Sequence, residues 1–160
     1  MPVAEAELRP KKAQFHLKSA EAILDEVTAA LGQDSPKSAS ARSTVLAIMR
    51  KSLAEARKSA EAELEATGHG TKCAQNLSAA EDEIIRAIHL FAVRHVYPVD
   101  NPSGAEAISI AAVGGYGRGT LAPGSDIDLL FILPYKQTPL GEQITEYILY
   151  MLWDLGQKVV

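Results

Sequence analysis

The sequence predicts an α+β protein, a helical N-terminal half followed by two short strands and a closing helix. Three observations carry this reading. Apolar residues recur at helical spacing through the first hundred positions, and the period then shortens to two between Ala107 and Val113. A Pro123-Gly124 turn separates that stretch from a second apolar run, Ile127 to Leu133.

The first helix is expected near Leu17 to Leu31, with Leu17, Ile23, Leu24, Val27 and Leu31 as its apolar face and Gly32 as its stop. Gln33 to Ala41 is rich in Ser, Ala, Pro and Lys and reads as a connector. From about Ala41 to Ala66 the series Val45, Met49, Leu53, Ala56, Ala60, Leu64 predicts a second helix, with Arg57 and Glu61 spaced to pair across one turn. Gly68-His69-Gly70 should end it. Ser78-Ala79-Ala80-Glu81 has the spacing of a capping box and is expected to open a third helix, with Ile84, Ile88, Phe91 and His95 as its stripe and Ile85 and Val96 beside it. Pro98 and Pro102 bracket the loop that follows.

Ala107 to Val113 is short, β-branched and alternating, and predicts a strand. Ile127 to Leu133 predicts a second, apolar enough to be covered on both faces. Thr138-Pro139 reads as an N-cap and first-turn proline. The helix it opens is expected to carry Ile144, Ile148, Met151, Leu152, Leu155 and Val159 on one face and to run uncapped to the last residue.

Bulk properties narrow the functional classes. With 47% hydrophobic and 22% charged residues, the 160-residue chain has the composition of a globular protein with a real core. No apolar run approaches the roughly 18–20 residues of a bilayer span, and the first residues lack the order of a signal peptide, so a cytoplasmic protein without a membrane partner is expected. The sole cysteine, Cys73, excludes an internal disulfide and a thiolate zinc site, and reads as an inert thiol. A net charge of −4, with Lys11-Lys12, Arg50-Lys51 and Arg57-Lys58 scattered among glutamates, argues against a long nucleic-acid partner.

The chemistry concentrates between Val113 and Leu133. Gly114 and Gly115 follow the first strand, ten residues intervene, and Asp126 and Asp128 then flank Ile127. Residues two apart on a strand share a face, so the two carboxylates project together, followed on that face by Leu130 and Ile132. Two such carboxylates repel unless a cation neutralises them, and Mg²⁺, which takes oxygen ligands and keeps waters, suits them. Tandem glycines let backbone N–H groups approach a triphosphate where a side chain would intervene. Arg118 is placed to contact phosphate, and Ser125 to donate a hydrogen bond to a phosphate oxygen. A P-loop is excluded because no lysine follows these glycines. A dinucleotide fingerprint fails at Thr120, after which a turn and a strand follow instead of a helix. Tyr116 is open to two readings, contact with a base or closure of the loop. His16, His69, His89 and His95 show no spacing that pairs them with the aspartates.

The pattern apolar-Gly-Gly, ten residues, Asp-apolar-Asp-apolar resembles the core motif of the polymerase-β-like nucleotidyltransferase superfamily. The longer string from Val113 through Leu130 is similar to one branch, the PII uridylyltransferase/uridylyl-removing enzymes, with likeness from Phe91–Pro102 through Leu152-Trp153-Asp154-Leu155-Gly156. That resemblance implies a short mixed sheet with flanking helices, residues 78–160 as a partial nucleotidyltransferase domain and residues 1–77 as a helical N-terminal region. It implies that Gly114 and Gly115 cradle the triphosphate of UTP, that Asp126 and Asp128 hold catalytic Mg²⁺, and that the partner is the PII signal protein, whose tyrosine receives UMP.

The superfamily's third carboxylate comes from a later strand, and Glu142, Glu146 and Asp154 lie on the preceding helix. Lys158-Val159-Val160 departs from the family, where glycine is expected after Lys-Val. The chain is therefore expected to be an N-terminal fragment, inactive alone and prone to associate through an unpaired sheet edge. Two other classes share the motif: an enzyme like the adenylyltransferase of glutamine synthetase, and a non-catalytic nucleotide-binding or interaction module.

Overall fold

The computed structural model of the chain describes residues 13–101, 104, 107–134 and 136–160. Pro102 and the Lys11-Lys12 pair lie outside them. Three helices form the N-terminal half: α1 (Ala20–Leu31), α2 (Ala39–Thr67) and α3 (Gly70–Phe91). Ser19 and Ser38 cap α1 and α2 by accepting from the backbone N–H of Ala22 (3.2 Å) and Ala41 (3.0 Å). Gly68, at φ +71°, supplies the left-handed residue that ends α2. Leu17 lies outside α1 and is exposed, because the chain ahead of Ser19 is not helical and is held to α2 instead: the backbone N–H groups of Phe15 and His16 donate to Glu63 (2.6 Å) and Ser59 (2.8 Å).

The third helix begins eight residues earlier than the sequence suggests, at Gly70 rather than Ser78. Ser78-Ala79-Ala80-Glu81 is not a capping box. Ser78 and Glu81 are both buried in mid-helix, where Ser78 accepts from the Leu121 N–H and Glu81 pairs with Arg57. The junction between residues 77 and 78 therefore falls inside a continuous helix. Arg57 takes this interhelical partner instead of Glu61 one turn away. After Phe91 the helix widens into a π-helical turn, Ala92–Val96.

Two strands follow, β1 (Ser109–Ala112) and β2 (Leu129–Ile132), paired antiparallel with Ile110 opposite Phe131 and Ala112 opposite Leu129. Between them lies a single helical turn, α4 (Gly114–Gly117). The last helix, α5 (Pro139–Asp154), opens as expected on Thr138, whose Oγ1 accepts from the Gly141 N–H at 3.0 Å.

One continuous core runs from Ile23, Val27, Met49, Ile84, Ile88 and Phe91 of the helices to Ile127, Ile144, Ile148, Met151 and Leu152. Each fully buried side chain of this size contributes about 1.5–3 kcal/mol. The sheet, however, is covered on one face only. Ile110, Leu129 and Phe131 pack against the core, while Leu130 (51% exposed) and Ile132 (46%) face outward, correcting the expectation of a strand covered on both sides.

The end of the chain differs as well. The helix stops at Asp154, and Gly156 at φ +82° closes it: the Gly156 N–H donates to Trp153 O (2.9 Å) and the Gln157 N–H to Leu152 O (3.0 Å). This is a Schellman closure, so Val159 leaves the helical face. Residues 158–160 instead run parallel to the start of β2, bridging Ile127 and Val159. Among the described residues, no helix is long and apolar enough to cross a membrane.

Candidate active site

The glycine pair sits where β1 turns into α4. Val113 extends the ladder by donating to Asp128 O at 3.0 Å, and the chain then coils abruptly, with Gly117 and Arg118 donating back to Val113 O (2.8 Å) and Gly114 O (3.2 Å). Gly114 has φ +61°, a conformation that costs an L residue about 1–2 kcal/mol. It is also crowded. A Cβ there would collide with Asp128 Oδ2 and lie 3.2 Å from its Cγ. Gly115 differs: a Cβ would meet only Arg118 Nη2 at 3.6 Å and Thr120 O at 3.9 Å, ordinary contacts. Arg118 thus overhangs Gly115 at the mouth of the turn.

Tyr116 resolves in favour of loop closure. Its ring is buried and its hydroxyl donates to Asp82 Oδ1 of α3 at 2.6 Å. Burial, and then the Asp82 carboxylate, hold the phenol well above its ordinary range, so Tyr116 is a neutral tether. A second tether lies halfway along the segment joining glycines to aspartates. Leu121 is buried, and its N–H lies 3.0 Å from Ser78 Oγ and 3.2 Å from Ala74 O. Pro123-Gly124 then turns the chain, with Gly124 at φ +75° and Ser125 N donating to Ala122 O (3.1 Å).

The aspartates precede β2 proper. Asp126 is exposed and Asp128 half-buried, on the outward side continued by Leu130 and Ile132, while Ile127 between them is 1% exposed. Ile127 is held on both backbone groups: its N–H donates to Lys158 O (2.7 Å), and its carbonyl accepts from Val160 N (3.0 Å). The structure therefore gathers Gly114, Gly115, Asp128 and Arg118 at one corner, with Asp126 on the same side of its strand as Asp128. Ser125 is not part of this group. It lines a cavity of about 460 Å³ on the other side, between α2, α3 and the tail, bordered by Leu64, Leu77 and Ile127.

Two carboxylates offer oxygen donors only, and their exposed flank leaves room for waters, so the donor chemistry fits a hard divalent cation. Among the described residues, no three His, Cys, Asp or Glu converge as a metal site. The tether on Leu121 and the tail strand behind Ile127 were not legible as site features, whereas loop closure was one of the two readings open for Tyr116. The signal of the first two was a polar pair, Ser78 and Glu81, one turn apart on the apolar side of α3.

A strand here ends in a glycine turn that abuts a segment with two aspartates, and residues 102–159 match the nucleotidyltransferase domain family. More particularly, the chain is similar over most of its length to curated bifunctional uridylyltransferase/uridylyl-removing enzymes. It is 53% identical over 118 residues to that enzyme of Bradyrhizobium sp. strain ORS 278, covering 74% of this chain and 13% of the relative. It is 50% identical over 133 residues to the enzyme of strain BTAi1, covering 83% and 14%. The Bradyrhizobium diazoefficiens enzyme is 52% identical over 118 residues, covering 74% and 13%. The matched segment thus spans only 13–14% of the length of these curated relatives. No solved structure matches the chain.

Proposed function

We propose that this chain supplies the nucleotide- and metal-binding half of a uridylyl-transfer site, in which UMP passes from UTP to a tyrosine of the PII signal protein. The observation that carries the reading is the contact of Asp128 with Gly114, which puts a carboxylate and a backbone able to approach phosphate in one place. Asp126 and Asp128 would hold Mg²⁺, which when bound offsets charge on the triphosphate and on the attacking oxygen. Gly114 and Gly115 would admit the phosphates to the backbone, and Arg118 would neutralise their outer oxygens. The reaction forms a bond between the tyrosine oxygen and the α-phosphorus and breaks the bond from that phosphorus to the bridging oxygen, releasing pyrophosphate and the phenolic proton.

A full site of this class needs a further carboxylate, and Asp126 and Asp128 stand without a third acidic partner among the described residues. The isolated chain is therefore expected to bind UTP weakly and to transfer little or no UMP. Calorimetric titration of the purified chain with UTP and with ATP, each with Mg²⁺, tests the reading. UTP-selective binding lost in Asp126→Asn and Asp128→Asn supports it. Preference for ATP points to an adenylyltransferase, and silence from a folded chain points to an interaction module. Robust UMP transfer to PII by the chain alone would overturn the inactivity.

A further inference from the structure

Ile127 lies between the two aspartates, and its N–H and carbonyl are both bound by residues 158 and 160. The backbone joining Asp126 to Asp128 is thus held by the tail on one side, as the β1 ladder holds Asp128 on the other through Val113. Hydrophobicity cannot set the register of that tail. Residues 159 and 160 are both valine, so a slip of one position exchanges like for like, although in a strand such a slip turns every side chain to the opposite face.

Gln157 can set it. It is 7% exposed, and its own N–H completes the Schellman closure of α5. Oriented to satisfy both neighbours, its amide oxygen accepts from Arg57 Nη2 of α2 (3.1 Å) and its amide nitrogen donates to Glu81 Oε1 of α3 (3.2 Å). Arg57 and Glu81 are themselves paired at 2.9 Å. A side chain that must accept from one partner and donate to the other fits only one placement. Glu81 is buried while the Arg57 side chain is half-exposed, and for a buried ionic group the best-attested use is to fix register.

We propose that Gln157 is a positioning residue that fixes the tail strand against Ile127 and thereby presents Asp126 and Asp128 to a divalent cation. The proposal rests on reading those aspartates as metal ligands. Its parts form a relay: the Arg57–Glu81 pair orients Gln157, Gln157 sets the tail, and the tail holds Ile127.

The test uses the 160-residue chain with Gln157→Leu, Gln157→Glu and the exchange variant Glu81→Gln/Gln157→Glu, which transposes carboxylate and amide while keeping both bonded to Arg57. Two readouts are taken: amide hydrogen exchange at Ile127 and Val160 without metal, and Mn²⁺ affinity well below the melting temperature. In Q157L, exchange at both amides should rise and Mn²⁺ binding weaken, each about tenfold, the equivalent of a lost hydrogen bond. Q157E alone sets two carboxylates together and should behave likewise, and the exchange variant should restore both readouts. Wild-type exchange and affinity in a folded Q157L would overturn the proposal. If Q157L does not fold, failure of the exchange variant to rescue Q157E overturns it. A wild-type chain that binds no Mn²⁺ would remove the metal reading, and with it the presentation of a cation. Exchange at Ile127 would still decide the register clamp.

Discussion

The Asp128 carboxylate rests against the Cα of Gly114, so near that a Cβ on the glycine would overlap one carboxylate oxygen and lie 3.2 Å from the carbon that bears it. Each residue limits the other: the aspartate leaves room only for glycine, and the glycine leaves the aspartate at the mouth of the turn. Neighbouring Gly115 has no such neighbour. Gly114→Ala should therefore cost about 1–2 kcal/mol from its positive φ alone and displace Asp128 as well. Gly115→Ala should stay within about 0.5 kcal/mol of wild type yet weaken UTP binding if the backbone there meets phosphate. Urea unfolding and nucleotide titration of the two variants separate these effects. Equal losses of stability would refute the distinction.

Tyr116 ties the same turn to α3 through Asp82. Tyr116→Phe removes a part-buried bond to a carboxylate, and a loss of about 1.5 kcal/mol is expected. A fall in Ile127 protection is not expected, since the tail holds that residue independently. Denaturant titration alongside hydrogen exchange checks both halves of the statement.

Glu81 gives stability a particular pH dependence. Burial raises its pKa despite the opposing Arg57 guanidinium, so the folded chain retains this proton to higher pH than the unfolded chain does. The stabilisation from this group is complete below the ordinary carboxylate value and is lost as pH rises through the folded value. Glu81→Gln should flatten the decline over that window, seen by following unfolding free energy upward from about pH 4, near the ordinary glutamate value. An unchanged slope would show that Arg57 cancels the burial.

Leu130 and Ile132 lie on the outward face of β2, about half exposed. Replacing both with lysine should change stability by less than about 1 kcal/mol, because neither contributes to the core. Light scattering at increasing concentration should show less association in the variant than in the wild-type chain. A wild-type chain that stays monomeric throughout would count against association through this face.

The helices and the position of the glycine–aspartate corner were legible because each has a local signal. Gly68 ends α2, Thr138-Pro139 opens α5, and periodicity changes at β1. Where the reading failed, a non-local partner had overridden the local pattern. Ser78 and Glu81 mimic a cap because both are polar at the right spacing, but they are polar to meet Leu121 and Arg57, 43 and 24 residues away. Leu155 and Val159 extend a helical stripe on paper, yet Gly156 offers the helix a favourable exit and Ile127 offers the tail a ladder. The sole face of β2 in contact with the core is likewise a property of what packs on it, which composition does not disclose.

The pin at Leu121 changes what the ten-residue interval between Gly115 and Asp126 means. It is not one loop but two short spans meeting at a fixed post, each with its own length to keep. Adding a residue before Leu121 and removing one after it preserves the count that defines the motif. Such a chain would still match the pattern by eye, but either Leu121 would leave its post or both ends would be drawn out of place. The motif's arithmetic is a sum, while the molecule enforces its two terms separately.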